Sequence, residues 1–254
     1  MGGALLDGWM AAGWQSDDVR VVVRRDAQAR ELRDRHGIAN VPIHEAAQSD
    51  LIVLAVKPDQ FESICAALEP APGAVVISVA AGVTVAQLES WLPEGTAVAR
   101  VMPNTGSFVG QGMSGVVRGT HVSDEQLAAV TGLFDGVGAT LVLPEEQFDA
   151  LTAISGSGLA YVFYVAEAMI EAGVHEGLSR EQSAQLVNQT FLGASTMLAT
   201  SGKSATTLRE EVTFPAGTTA SALRRLDDHG VRAAFLDAVA AARAKAARMG
   251  NPSE

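Results

Sequence analysis

The sequence predicts an α/β chain in two parts, a mostly parallel sheet covered by helices and then an all-helical segment. Three observations carry this. Short runs apolar on both faces, such as Leu51 to Val56 and Ala74 to Val79, recur through the first part. Strands buried on both faces read in this way when helices cover the two sides of a parallel sheet. After Pro144 the strand signal stops and amphipathic helical spacing continues to the C-terminus. The boundary is placed there, giving residues 1–144 and 145–254.

Arg20 to Val23 is a short β-branched stretch, and the charged pattern after it ends as a helix near His36-Gly37. Leu51 to Val56 is closed by Lys57-Pro58, Ala74 to Val79 by Ala80-Ala81-Gly82, and Ala97 to Val101 by Met102-Pro103-Asn104-Thr105. Gly115 to Arg118 and Thr140 to Leu143 read as two further edge strands. In the helical part, Ser157 to Ala172 and Arg180 to Ala199 are apolar around much of their circumference, which predicts burial in a homodimer.

Composition excludes several classes of function. The 254 residues are 48% hydrophobic and 19% charged, with net charge −11, and no cluster of Lys and Arg overrides that acidity. A nucleic-acid surface is therefore not expected. Cys65 stands alone, and no Cys or His spacing suits a metal site. The apolar start, Met1 to Trp14, lacks a basic leader and contains Asp7, and no uninterrupted apolar run approaches the ~20 residues of a membrane span. A cytoplasmic protein that binds no membrane is expected. The five histidines are expected at the surface.

Two blocks point to ligand binding. S-G-S-G-L-A-Y (Ser155 to Tyr161) and V-T-F-P-A-G-T-T (Val212 to Thr219) suit helix interiors poorly, because glycine costs about 1 kcal/mol there and proline about 3. Both carry small neutral hydroxyls next to backbone that something else can approach closely. In the first part, the loops after three strands lie at the carboxyl ends of a parallel sheet, where such sheets bind ligands. Arg24-Arg25 follows the first strand at the place where a dinucleotide-binding unit reads the ribose. Without an acid at that strand end, a 2′-phosphate is favoured. No triad, carboxylate pair or nucleophile elbow is present, so a cofactor is expected to carry the chemistry.

Taken in order, M-G-G-A-L-L, L-A-V-K-P, S-V-A-A-G-V, R-V-M-P-N-T, F-D-A-L-T-A-I-S-G-S-G and V-T-F-P-A-G-T-T resemble the pyrroline-5-carboxylate reductase family. The resemblance implies a Rossmann-type domain for NADPH, with NADH as the alternative, then a helical domain that interlocks with a dimer mate, and assembly into rings of dimers. It implies a small cyclic imine, 1-pyrroline-5-carboxylate, reduced to L-proline.

Carried onto this chain, Gly2, Ala55, Val56, Lys57, Pro58, Ala80, Ala81 and Gly82 border the dinucleotide, together with Arg24 and Arg25, and Asn104 lies near the nicotinamide. Thr219 is the hydroxyl beside the imine nitrogen, Thr218 and the Gly217 loop meet the substrate, and Glu145 matches a position near it. The family opens with a strand and G-x-G-N-M-G, whereas this sequence starts at the Met of that motif, so the first strand is expected to be absent and cofactor binding weakened. Phe214 and Ala216 stand where the family has serine and glycine, Leu159 and Gly106 replace prolines, and Glu211 replaces a polar residue. A different cyclic imine, or a catalytically silent dimeric relative, are the alternatives these departures raise.

Overall fold

The computed structural model describes Met1 to Gly250 and divides into two compact units. The first holds residues up to Ser157 together with the stretch from Ala241 onward, and the second runs from Gly158 to Ala240. In chain order the first unit contains α1 (Gly2–Ala11), α2 (Asp26–His36), α3 (Ile43–Ala46), β1 (Leu51–Leu54), α4 (Phe61–Ala66), β2 (Val75–Ser78), α5 (Val85–Trp91), β3 (Ala97–Met102), β4 (Gly112–Arg118), α6 (Asp124–Asp135), β5 (Gly138–Val142) and α7 (Phe148–Leu151). The second contains α8 (Gly158–His175), α9 (Arg180–Thr200), α10 (Ala205–Glu211), α11 (Thr218–Asp228) and most of α12 (Val231–Gly250).

The five strands form one sheet in the order β1-β2-β3-β4-β5, parallel except between β3 and β4. Val53 pairs with Ile77 and Ile77 with Ala99, so alternate residues of neighbouring strands share a face. One face packs Val75, Ile77, Ala99 and Val101 against Leu5 and Trp9 of α1 and Val130, Leu133 and Phe134 of α6. Trp9 donates its indole N–H to Leu133 O at 2.8 Å and meets Phe134 edge-on, 5.9 Å between centroids. The other face packs Ile52, Leu54, Val76 and Val98 against Phe61 and Cys65 of α4 and Leu88 of α5. Both faces of β2 and β3 are thus dry, the condition that made them legible as apolar runs. Cys65 is a buried free thiol in that core, and burial pushes its pKa up.

Three expectations need correction. Arg20 to Val23 forms no named strand: Val21 makes a single parallel bridge to Asn40, outside the five-stranded sheet, and Val22 is exposed. The stretch at Gly115 belongs to a longer strand that is not an edge, since β4 lies between β3 and β5 and runs antiparallel to β3. The S-G-S-G block is not a break in the helix. Backbone is helical from Glu145 to His175, and Thr152–Gly156 forms a π-turn in which the Thr152 hydroxyl donates to Phe148 O. A wider turn absorbs the glycines and hydroxyls that a regular α-helix would resist.

In the second unit α8 packs on α9 through a glycine. A Cβ on Gly173 would sit 2.7 Å from the Ser183 hydroxyl, so only glycine allows that approach. Few side chains of these helices are buried, Ser183 and Val187 among them, and large apolar ones stand exposed, Phe163 at 66% and Leu236 at 74%. Helix Glu145–His175 is, by length and composition, long and apolar enough to cross a membrane, with mean hydropathy 1.4 over an 18-residue window.

Candidate functional site

The first cluster lies in the first unit, at the carboxyl ends of the parallel strands. Gly2 opens α1 against the residue that follows β1: a Cβ there would meet Ala55 Cβ at 2.9 Å. No side chain caps the start of α1 and no acid lies in its first turn, so its amides and positive dipole end stay available for an anion. Ala55, Lys57 and Pro58 are exposed and Val56 is half-buried. Arg24 reaches toward the same loop, donating to Gln60 Oε1 at 3.1 Å, just past Lys57-Pro58. Asn40 fixes the approach by bonding both the N–H and the C=O of Val23. Arg24 thus comes from a distant part of the sequence to Gln60, three residues after Lys57. Arg25, exposed at the start of α2, adds a second cation.

After β2, Ala80 is buried, with its N–H donated to the Ser78 hydroxyl, while Ala81 and Gly82 are half-buried. Gly82 sits at φ 81°, and a Cβ there would lie 2.6 Å from the carbonyl oxygen of Met249 at the end of α12. Both facts demand glycine. Gly82→Val is therefore expected to cost about 2 kcal/mol or more, read by melting temperature. A melting temperature equal to that of the wild type would show that this loop is not strained.

Asn104, after β3, is a hub. Its Oδ1 accepts from the N–H of Gly106 at 3.0 Å and of Met113 at 3.2 Å, and its Nδ2 donates to Ser155 O and Oγ at 3.3 and 3.1 Å. All four hydrogen-bonding capacities of the amide are used. The side chain ties the β3 end to the π-turn rather than presenting itself as an open ligand.

Glu145 is paired with Arg100, a residue not singled out from the sequence. Arg100 lies within β3 with its side chain 5% exposed, forms an ion pair with Glu145, and stacks its guanidinium 3.6 Å from the Phe148 ring centroid. Burial pushes its pKa down, opposed by the charge and hydrogen bond of Glu145 and by the charge of Asp149. Arg100 Nε and Glu145 Oε2 are buried without a protein partner among the described residues. The signal was present: a lone arginine in an apolar strand has to find a partner, because an unpaired buried charge is very costly.

The second cluster lies in the second unit. Gly217 N-caps α11 without a side-chain bond and no acid occupies its first turn, leaving amide donors free at Thr218 and Thr219. The neighbouring hydroxyls of Thr213 and Ser221 are turned back to Arg209 O and Gly217 O, whereas no such bond engages Thr218 or Thr219 among the described residues. The approach to this helix is a tight turn in which Gly217 N–H donates to Phe214 O at 3.0 Å. Ala216 holds φ 61° there, the one non-glycine residue with positive φ among those described. Ala216→Gly should thus raise stability by roughly 0.5–1 kcal/mol, measured by denaturant unfolding, and a fall instead would mean the turn relaxes with alanine at no cost. Phe214 is 72% exposed. Glu211 is held by Lys203 Nζ at 2.6 Å, which answers the repulsion expected of a free carboxylate.

Outside both clusters, His36 is not a surface residue: its Nε2 lies 2.7 Å from Asp7 Oδ1, with the side chain 11% exposed. No group of three or more His, Cys, Asp or Glu that could hold a metal occurs among the described residues.

A family model described as pyrroline-5-carboxylate reductase dimerisation matches residues 145–249, and one described as NADP oxidoreductase, coenzyme F420-dependent, matches residues 1–82. A protein named pyrroline-5-carboxylate reductase from Corynebacterium melassecola is 41% identical, over 98% of this chain and 95% of its own. A solved pyrroline-5-carboxylate reductase from Coxiella burnetii superposes with TM-score 0.92 at 32% identity, covering 98% of this chain and 95% of its own. One from Plasmodium falciparum, with NADP bound, gives TM-score 0.84 at 30% identity over 99% of this chain and 95% of its own.

Proposed function

The chain belongs to the pyrroline-5-carboxylate reductase family, and from that premise we propose the following roles for its residues in the reduction of 1-pyrroline-5-carboxylate to L-proline. It is an NAD(P)H-dependent oxidoreductase and a homodimer, so the catalytically silent alternative falls away.

The first cluster fits a dinucleotide on its own geometry. An uncapped helix start beside Ala55, three loops at the carboxyl ends of strands, and two exposed arginines suit a pyrophosphate and a ribose phosphate. Gly2, Ala55 to Pro58 and Ala80 to Gly82 would line it, and Arg24 and Arg25 would take the 2′-phosphate of NADPH. Asn104 would serve the nicotinamide end by fixing the loop around it. When bound, the reduced nicotinamide supplies hydride to the C=N carbon of the ring.

The chain's own task is to bind and orient the imine. Free amides at the start of α11, at Thr218 and Thr219, suit the substrate carboxylate, and the unengaged hydroxyl of Thr219 suits the imine nitrogen. Thr219 holds or passes the proton that makes the C=N carbon electrophilic. Glu145 serves the substrate side of the site while paired with Arg100. A second reading keeps this chemistry with a different cyclic imine, favoured by the exposed, bulky Phe214 next to the strained Ala216.

The exposed apolar faces of α8 and α9 are assigned to the dimer contact, with further assembly into rings of dimers, and to neither a membrane nor nucleic acid. The protein is assigned to the cytoplasm. The single observation that carries the reading is the uncapped α11 start beside two unengaged threonine hydroxyls. It is tested by NADPH oxidation with pyrroline-5-carboxylate. NADPH at 100 times its Kd should also add about 2.7 kcal/mol of stability in a thermal-shift series. Cofactor stabilisation without turnover on the pyrroline would move the assignment to another imine, and the absence of both would overturn it.

A further inference from the structure

Resting on the reductase reading above, we propose that Arg100 and Glu145 are a positioning pair: the ion pair between them fixes the angle at which the helix entering at Glu145 presents the Thr152–Gly156 turn to Asn104.

The segment from Glu145 to Ser155 is attached to β3 and the loop after it at two places. At its start Glu145 meets Arg100 of β3, with Phe148 of α7 under the guanidinium. At its end the Ser155 O and Oγ accept from Asn104 Nδ2. A helical segment held at one point pivots about it, and one held at two points does not. The Ser155 tether also reaches further, because the Asn104 Oδ1 that completes the amide holds the N–H groups of Gly106 and Met113.

The choice of groups at the first tether argues for direction over stability. A buried ion pair is a weak source of stability, and replacing one by apolar residues of similar volume is often neutral or stabilising. Here the arrangement is costlier still, since Arg100 Nε and Glu145 Oε2 are buried without partners among the described residues. Hydrophobic contact is non-directional, whereas a planar guanidinium against a carboxylate sets an orientation. An orientation is what a turn near a reacting centre requires, because a displacement of about 1 Å can cost 100-fold in rate.

The test separates packing from direction. Arg100→Met leaves Glu145 without its cation and Glu145→Gln leaves the buried guanidinium without its counter-charge, so both should lower the melting temperature and kcat. The double variant Arg100→Met with Glu145→Leu restores an apolar contact and should regain the wild-type melting temperature. A positioning pair predicts that kcat on the pyrroline stays down about 100-fold in that variant, with KM for NADPH within about twofold. It also predicts that amide exchange at Gly106 and Met113 stays faster than in the wild type. If amide protection returns with the melting temperature, the inference is overturned, and a kcat that stays down then belongs to Glu145 on the substrate side. Should the double variant not fold, Glu145→Gln decides: exchange within twofold of wild type, at a temperature where it is fully folded, overturns it equally. Wild-type turnover on the pyrroline reports on the reductase reading, and amide exchange reports on the pair, so the two can fail separately.

Discussion

Asn104→Ala is expected to lower the melting temperature by about 10 °C and kcat by more than 100-fold, the largest combined loss of any single change in the first unit. The amide's four bonds join three stretches of chain, at Gly106, at Met113 and at Ser155. Truncation leaves two backbone N–H groups and two oxygens of Ser155, the carbonyl and the hydroxyl, without their partner, at 1–3 kcal/mol for each one that stays buried. A net cost of about 3 kcal/mol corresponds to that shift in a chain of this size. The rate falls further because the β3 loop and the π-turn lose their common anchor. Asn104→Asp separates the parts: it keeps both acceptor contacts and gives up only the donation to Ser155. Turnover in the aspartate variant close to that of alanine would assign the rate to the Ser155 tether. An alanine variant that melts and turns over like the wild type would remove Asn104 from any role.

Thr219→Ala should reduce kcat about 100-fold, at the lower end of what one positioned proton donor contributes, while changing stability by less than about 1 kcal/mol. The small stability term follows because the hydroxyl makes no bond among the described residues that its loss would break. Thr219→Ser keeps the hydroxyl and should recover most of the rate. Thr218→Ala, one residue nearer the helix cap, should act mainly on KM for the imine. Equal kcat in wild type and Thr219→Ala would pass the proton role to solvent.

Much of the fold could be read from residues, and the reason is local. β2 and β3 are buried on both faces, so every position reports burial and the runs at Ala74 to Val79 and Ala97 to Val101 stand out. β4 was harder to see, because Gly112, Met113, Ser114 and Gly115 look like a loop; they become strand through pairing with β3 and β5. The S-G-S-G block misled for a different reason. Propensity rules describe a regular α-helix, and a π-turn changes which residues are tolerated.

The candidate site needs no tertiary knowledge where one motif carries it whole, as at Gly217 to Thr219, which stand together at the start of α11. It does where two motifs meet. Arg100 and Glu145 are 45 positions apart, and neither motif alone says that the acid is held by the arginine. The same holds for Arg24, whose nearness to Lys57-Pro58 depends on Asn40 pinning Val23.

The return of the chain from Ala241 onward to the first unit makes that unit discontinuous in sequence. During synthesis the five strands leave the ribosome first, yet the helix end that seats Met249 against Gly82 emerges only after the whole second unit has been made. At bacterial or eukaryotic elongation rates that interval is on the order of ten seconds. The Gly82 loop is therefore finished last, and a nascent chain with its sheet already assembled still lacks one wall of the place assigned to its cofactor.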